Sequence, residues 1–184
     1  MYLSILRRAS RTLRHGGTGQ VICLCLLFVG LISPSTGRAT TATEMSLEEV
    51  ASASDLVVRG SIVEIEVMPS GPDGREGIYT RATVEVHDAL RGAPSSTLSV
   101  YIPGGRYGRF LRVVVGEPTF EVGQHLLLFL SRVGSVLTPT AMARGVWVVA
   151  IDGETVRRLD SGAAATQASL TQVREALARS GGDR

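Results

Sequence analysis

In the segment Ile78-Tyr-Thr-Arg-Ala-Thr-Val-Glu-Val-His-Asp-Ala-Leu90, small or apolar residues alternate with larger polar ones from Ile78 to His87. Side chains two apart share one face of a strand, so Ile78, Thr80, Ala82, Val84 and Val86 face one way. Tyr79, Arg81, Thr83, Glu85 and His87 then face the other. The same period recurs in Ile62–Val67, where Ile62, Glu64 and Glu66 alternate with Val63, Ile65 and Val67. A half-buried strand of this kind needs a second layer or a closed sheet to cover its apolar side.

Short strands continue along the chain. Residues 68–77, MPSGPDGREG, carry two prolines and three glycines and predict a mobile hairpin loop. TLSVYI is a third strand, FLRVVV a fourth, and HLLLFL a strand buried on both faces. SVLTPT is a weak strand that Pro139 suits to a sheet edge. GVWVVAI and ETVRRL pair across Asp152-Gly153, a two-residue turn signal, with Trp147 in the core. Gly60 marks a bulge or bend in the first strand. Ser46-Leu-Glu-Glu49 and Ser169-Leu-Thr-Gln172 are capping boxes, so a helix stands at each end of the strand series. Leu170, Val173 and Leu177 make one stripe on the second helix, which ends at Gly181 and Gly182.

About seven strands follow one another with turn signals every 8 to 14 residues and no helix between them. That order excludes an alternating α/β sheet. It predicts a mainly β fold: a small closed or nearly closed antiparallel barrel, which leaves few edges open to aggregation. The barrel is expected over residues 43–161. A linker and a helix packed on the barrel, with a disordered tail, follow over 162–184.

Residues 1–42 are of another kind. Arg7, Arg8, Arg11 and Arg14 precede twelve uncharged residues, Val21–Ile32, and then SPSTGRATTA. This order predicts a secretory signal peptide, cleaved near Ala39 or Ala42. Twelve helical residues rise only about 18 Å against a hydrocarbon core of about 30 Å, so no permanent membrane span is expected. The expected location is the periplasm or the exterior. Cys23 and Cys25 leave with the leader, and thiolate metal sites, thiol catalysis and disulfides leave with them.

Cleavage also reverses the charge. The chain has nineteen arginines and no lysine. Five arginines precede residue 43, leaving fourteen against seventeen acids, a net charge of −3. A nucleic-acid partner is therefore not expected. A remainder of about 140 residues buries about two-thirds of its unfolded surface and suffices for one core.

SDLVVRGSIVEIEV, GIYTRATVEVHDALRG and LSVYIPGG together resemble a family of secreted bacterial proteins with an SDxVVxGxV, YTxxxxxVxxxLKG and VxxPGG pattern. Val115–Phe120 and Gly123–Leu130 continue it, so the likeness spans about Leu47 to Trp147. More distantly, the chain is similar to the netrin-like module of the tissue inhibitors of metalloproteinases. That likeness implies a five-stranded OB-like barrel with terminal helices and, as a partner, a protease. The animal inhibitors chelate the protease zinc through an N-terminal cysteine and carry disulfides; the trimmed chain has neither. Gln124 stands where the bacterial pattern has an acid, and Arg91 where it has lysine.

Candidate sites are few. Tyr101-Ile-Pro-Gly-Gly-Arg-Tyr-Gly-Arg-Phe110 has neither the spacing nor the lysine of a phosphate loop. It reads as a glycine-permitted connection between strands, or as a loop presenting Arg106, Tyr107, Arg109 and Phe110 to a ligand. Arginine with aromatics is the composition of interface anchors. A metal site would need His87, Asp88 and His125 to converge, without any HxH or HExxH spacing to suggest it; no metal or other cofactor is expected. Glu64 and Glu66 share a face, as a solvated surface or as paired acids. No serine carries a nucleophile signature. The sequence thus favours an exported, non-catalytic module that binds a protein, such as a protease or an envelope component. A secreted hydrolase with an unrecognised active site and an envelope structural protein are the alternatives.

Overall fold

A computed structural model describes residues 45–159 and 166–181. The expected leader with its cleavage points, both cysteines, residues 43–44 and 160–161 at the two ends of the expected barrel, residues 162–165 of the linker and residues 182–184 of the tail lie outside the described residues. Strands β1 (Leu56–Ser70), β2 (Glu76–Arg91) and β3 (Thr97–Pro103) form an antiparallel meander. β4 (Gly105–Tyr107) and β5 (Phe110–Arg112) pair only with each other. β6 (His125–Val133), β7 (Val136–Pro139), β8 (Val146–Val149), β9 (Thr155–Arg158) and β10 (Gln167–Ser169) complete the set.

The main sheet runs β1-β2-β3-β7-β6-β8-β9-β10, and β6 also pairs back onto β1. Five strands, β1-β2-β3-β7-β6, therefore close into a ring, the mainly β architecture expected from the alternation. Closure uses one departure from the all-antiparallel expectation. β3 meets β7 in parallel, through the single pair Val100 and Leu137. β7 is thus a seam strand inside the ring rather than an edge, and Pro139 is tolerated because it ends the strand.

Two apolar layers hold the ring. Inside it, Val58, Ile62, Ala82, Val84, Val100, Leu126, Leu128 and Leu130 are buried together. Outside it, Val57, Leu127, Phe129 and Trp147 pack under helices α1 (Leu47–Ser52) and α2 (Leu170–Gly181), against Val50, Val173 and Ala176. β6 supplies both layers, which is why HLLLFL has no polar face. The Trp147 indole donates to the Arg144 carbonyl at 3.0 Å and meets Phe129 at a tilt, with centroids 6.3 Å apart.

Both capping boxes form. Ser46 Oγ accepts from the Glu49 N–H at 3.2 Å, and Glu49 accepts from the Ser46 N–H at 2.7 Å. Ser169 and Gln172 repeat the exchange at 3.2 and 2.8 Å. Leu170, Val173 and Leu177 are buried, as the stripe predicts. Arg91 ties the two helices together: it donates to the Ala51 and Ser54 carbonyls and to the Leu177 carbonyl. A planar fork reaches these acceptors together where one ammonium could not.

Three local expectations are corrected. The strands continue through most of residues 68–77, pairing Met68 with Tyr79 and Ser70 with Glu76. The turn proper is a 3₁₀ segment at Pro72–Gly74, and Asp73 accepts from the Ser135 hydroxyl at 3.1 Å, which anchors the tip. A register shift between Ile62 and Glu64 leaves Val63 as a bulge, 46% exposed, so Ile62 faces inward although it shares a period with Glu64 and Glu66. Asp152-Gly153 lies within a wider loop, because the Ala150 N–H donates to the Thr155 carbonyl at 2.8 Å. Asp152 organises that loop, accepting from the N–H groups of Glu154 and Thr155 at 2.9 Å.

The bulge expected at Gly60 is present as a register shift between Arg59 and Gly60. A Cβ at Gly60 would lie 2.3 Å from the Glu85 carbonyl oxygen.

Candidate functional site: a ribbon above a cleft

The sequence reading left Tyr101–Phe110 as a bend or a presented loop. It is a small two-stranded ribbon. Gly105 pairs with Arg112, Arg106 with Leu111 and Tyr107 with Phe110, with Gly108-Arg109 at the turn. Tyr107 and Phe110 are opposite one another and so share a face.

The ribbon leaves the ring at Gly104-Gly105, with φ of +114° and +126°, a region that favours glycine. A Cβ on Gly105 would lie 2.7 Å from the Thr80 hydroxyl and 2.9 Å from Val67. The Thr80 hydroxyl donates to the Gly104 carbonyl at 2.8 Å, and the Gly104 N–H donates to the Ile78 carbonyl at 2.9 Å. The base of the ribbon is thereby fixed to β2.

All four residues singled out from the sequence lie on this ribbon, and all four are exposed. Tyr107 is 45% and Phe110 59% accessible, while Arg106 and Arg109 lie in open solvent beside them. The Arg109 guanidinium sits 5.0 Å from the Phe110 ring centroid, a cation–π contact. Arg112 lies 5.4 Å from the Tyr79 centroid and donates to the Ile78 carbonyl at 3.4 Å.

Sequence reasoning missed what continues from the ribbon. FLRVVV reads as a six-residue strand, but only Phe110–Arg112 is one. Leu111, Val113 and Val115 are 58%, 75% and 91% exposed. They continue the exposed apolar residues along the chain, with Leu111 on the ribbon face opposite Tyr107 and Phe110. Surface apolar residues are ordinary singly; a run of them beside aromatics is not.

Beneath the ribbon lies a cleft of about 390 Å³, walled by Ile65, Val67, Ile102, Leu111 and Phe120. Glu117 is on its lining too, and its Oε2 atom is buried without a hydrogen-bond partner. Burial raises the Glu117 carboxyl above its ordinary value. The loop holding it is fixed: the Ala143 N–H donates to the Gly116 carbonyl at 2.9 Å, and the Gly123 N–H to the Ile62 carbonyl at 2.8 Å. Gln124 closes the turn by accepting from the Glu121 N–H at 3.1 Å. The signal available in the sequence was Glu117, one of two acids in the turn-rich stretch GEPTFEVG, between two apolar runs.

A second recess, of about 330 Å³, brings His87 and His125 together with Arg59 and Ile151. The two rings are 5.9 Å apart. Asp88 does not join them, lying 3.7 Å from Arg174 instead. Among the described residues no group of three His, Cys, Asp or Glu side chains could hold a metal ion.

The Ser61 hydroxyl is 3.1 Å from His87 Nε2, and Glu85 is 4.0 Å from the same nitrogen. A serine–histidine–acid relay uses opposite ring nitrogens, so this trio is not built for one. Glu64 accepts from the Thr83 hydroxyl at 3.2 Å and Glu66 pairs with Arg81. Both glutamates are exposed and serve their own sheet surface.

No helix among the described residues is long and apolar enough to cross a membrane. No protein-family model and no curated protein matches the chain.

Proposed function

We propose that this chain is an exported, non-catalytic binding module whose β4–β5 ribbon recognises a protein partner, such as a protease or an envelope component. The observation that carries the reading is the ribbon itself. Gly104, Gly105 and the Thr80 hydroxyl build a fixed support that holds Tyr107 and Phe110 in solvent rather than against the core. Leaving two aromatics and three aliphatics in water forgoes burial worth about 1.5–3 kcal/mol for each large side chain. A partner surface would recover it. Rigid aromatics flanked by arginines are the usual anchors of such surfaces.

Export rests on the basic, apolar and small-residue order of residues 1–42. The likeness to the secreted bacterial family and to netrin-like inhibitors rests on the quoted motifs. A five-stranded ring flanked by two helices is compatible with that likeness. Zinc chelation by an N-terminal cysteine is not part of the proposal.

The test is capture from the envelope fraction by purified protein, comparing wild type with Tyr107→Ala/Phe110→Ala. The double variant is expected to lose the partner while keeping its melting temperature. Equal capture by both proteins overturns the reading.

A further inference from the structure

We infer that the cleft under the ribbon is the receptor for one cationic side chain, arginine or lysine, carried on an apolar stretch of the partner polypeptide, with Glu117 as its counter-charge. The inference rests on the binding-module reading for the nature of the occupant; the chemistry of the cleft stands on its own geometry.

A carboxylate oxygen removed from water without a donor is costly, and structures satisfy such atoms or neutralise them. Glu117 Oε2 is buried and unpartnered on a cleft whose other walls are chiefly aliphatic and aromatic. The other charged residue on the lining, Arg112, is directed elsewhere, over the Tyr79 ring and onto the Ile78 carbonyl. Glu117 is therefore the one acid on the lining, and the chain supplies no donor to its buried oxygen.

A guanidinium or ammonium meets that need, and its methylene stem matches the walls of Ile65, Val67 and Leu111. The volume, about 390 Å³, equals that of about a dozen waters and holds a long side chain with room for a neighbour. The occupant is assigned to a polypeptide rather than to a free amine because the lining includes Leu111 and Val113, whose side chains are more than half exposed. Apolar residues flanking the cation would cover them.

The direction of the Glu117 shift agrees. A cation would draw the carboxyl back toward its charged form, so complex formation releases a proton when Glu117 starts protonated. Arg112 is the other titratable group on the cleft lining.

The experiment titrates ¹⁵N-labelled purified protein with the peptide Ac-Leu-Arg-Leu-Phe-NH₂, its citrulline counterpart, benzamidine and benzamide. The arginine peptide is expected to shift the amides of Val113, Val114, Glu117 and Phe120. It should bind about tenfold or more tightly than the citrulline peptide, and Glu117→Gln should abolish that preference. Equal binding of the two peptides, or an unchanged preference in Glu117→Gln, overturns the inference. Binding of benzamidine without any binding of the arginine peptide overturns the polypeptide assignment in favour of a small amine. Glu117→Gln is nearly isosteric, and its melting temperature reports that it folds.

Failure here is separable from failure of the binding-module reading. Partner capture that survives Glu117→Gln but is lost in Tyr107→Ala/Phe110→Ala retains the ribbon and removes the charge recognition. Capture that survives the ribbon variant removes the reading itself.

Discussion

The helix-covered side of the ring and the ribbon side treat apolar residues in opposite ways. Under α1 and α2, Trp147, Phe129, Leu127 and Val173 are 2% exposed or less, and Arg91 supplies donors to the carbonyls around them. At the ribbon, Phe110, Leu111, Val113 and Val115 are each more than half exposed, and a carboxylate oxygen lies buried without a donor. One side has its apolar and polar needs met within the chain. The other leaves both open in the same place, which is what a surface awaiting a partner looks like.

The largest effect belongs to the finished side. Trp147→Ala should cost about 3–5 kcal/mol of stability, read from denaturant midpoints, because the indole fills the layer between β6 and the helices. A loss below about 1 kcal/mol would mean that this layer is not close-packed. Arg91→Lys comes next, at about 2 kcal/mol, since one ammonium cannot replace the fork that serves Ala51, Ser54 and Leu177. Chemical denaturation of the single variant measures it directly.

On the open side, the stability effects shrink. Tyr107→Ala/Phe110→Ala should move stability by no more than about 0.5 kcal/mol, the range for exposed substitutions. A larger loss would show that the ribbon is packed in solution and would erase the contrast between the two sides. Glu117→Gln gives the smallest change and the most diagnostic one. The folded chain holds this carboxyl above its ordinary value of 4.5, so its contribution to stability is fully present below that value. The contribution is lost as pH rises through the raised value. Wild type should therefore fall relative to Glu117→Gln over that interval in thermal melts. Parallel pH profiles would contradict a desolvated Glu117.

Much of the fold was legible because local pattern and tertiary demand coincide. Thr80, Ala82 and Val84 are inward as their period requires, and Ser46 with Glu49 caps α1 as written. The Val63 bulge was not legible, since a single extra residue leaves no mark in an alternating run. Nor was the parallel seam, which rests on one pair of residues distant in the sequence, Val100 and Leu137. Residues 68–77 misled because proline and glycine mark turns, yet a long hairpin accepts them at its tip.

The site divides in the same manner. Arg106, Tyr107, Arg109 and Phe110 stood out by composition. Leu111, Val113 and Val115 did not, because an apolar run reads alike whether it faces a core or a partner. Glu117 was hidden for another reason: its meaning comes from what fails to surround it.

The account turns on the ribbon and its cleft being a recognition surface. The most direct measurement is calorimetric titration of the polypeptide captured by wild type into three proteins: wild type, Tyr107→Ala/Phe110→Ala and Glu117→Gln. Saturable binding to wild type, lost in the ribbon variant at unchanged melting temperature and weakened in Glu117→Gln, is the predicted result. Indistinguishable isotherms for wild type and the ribbon variant would contradict the account.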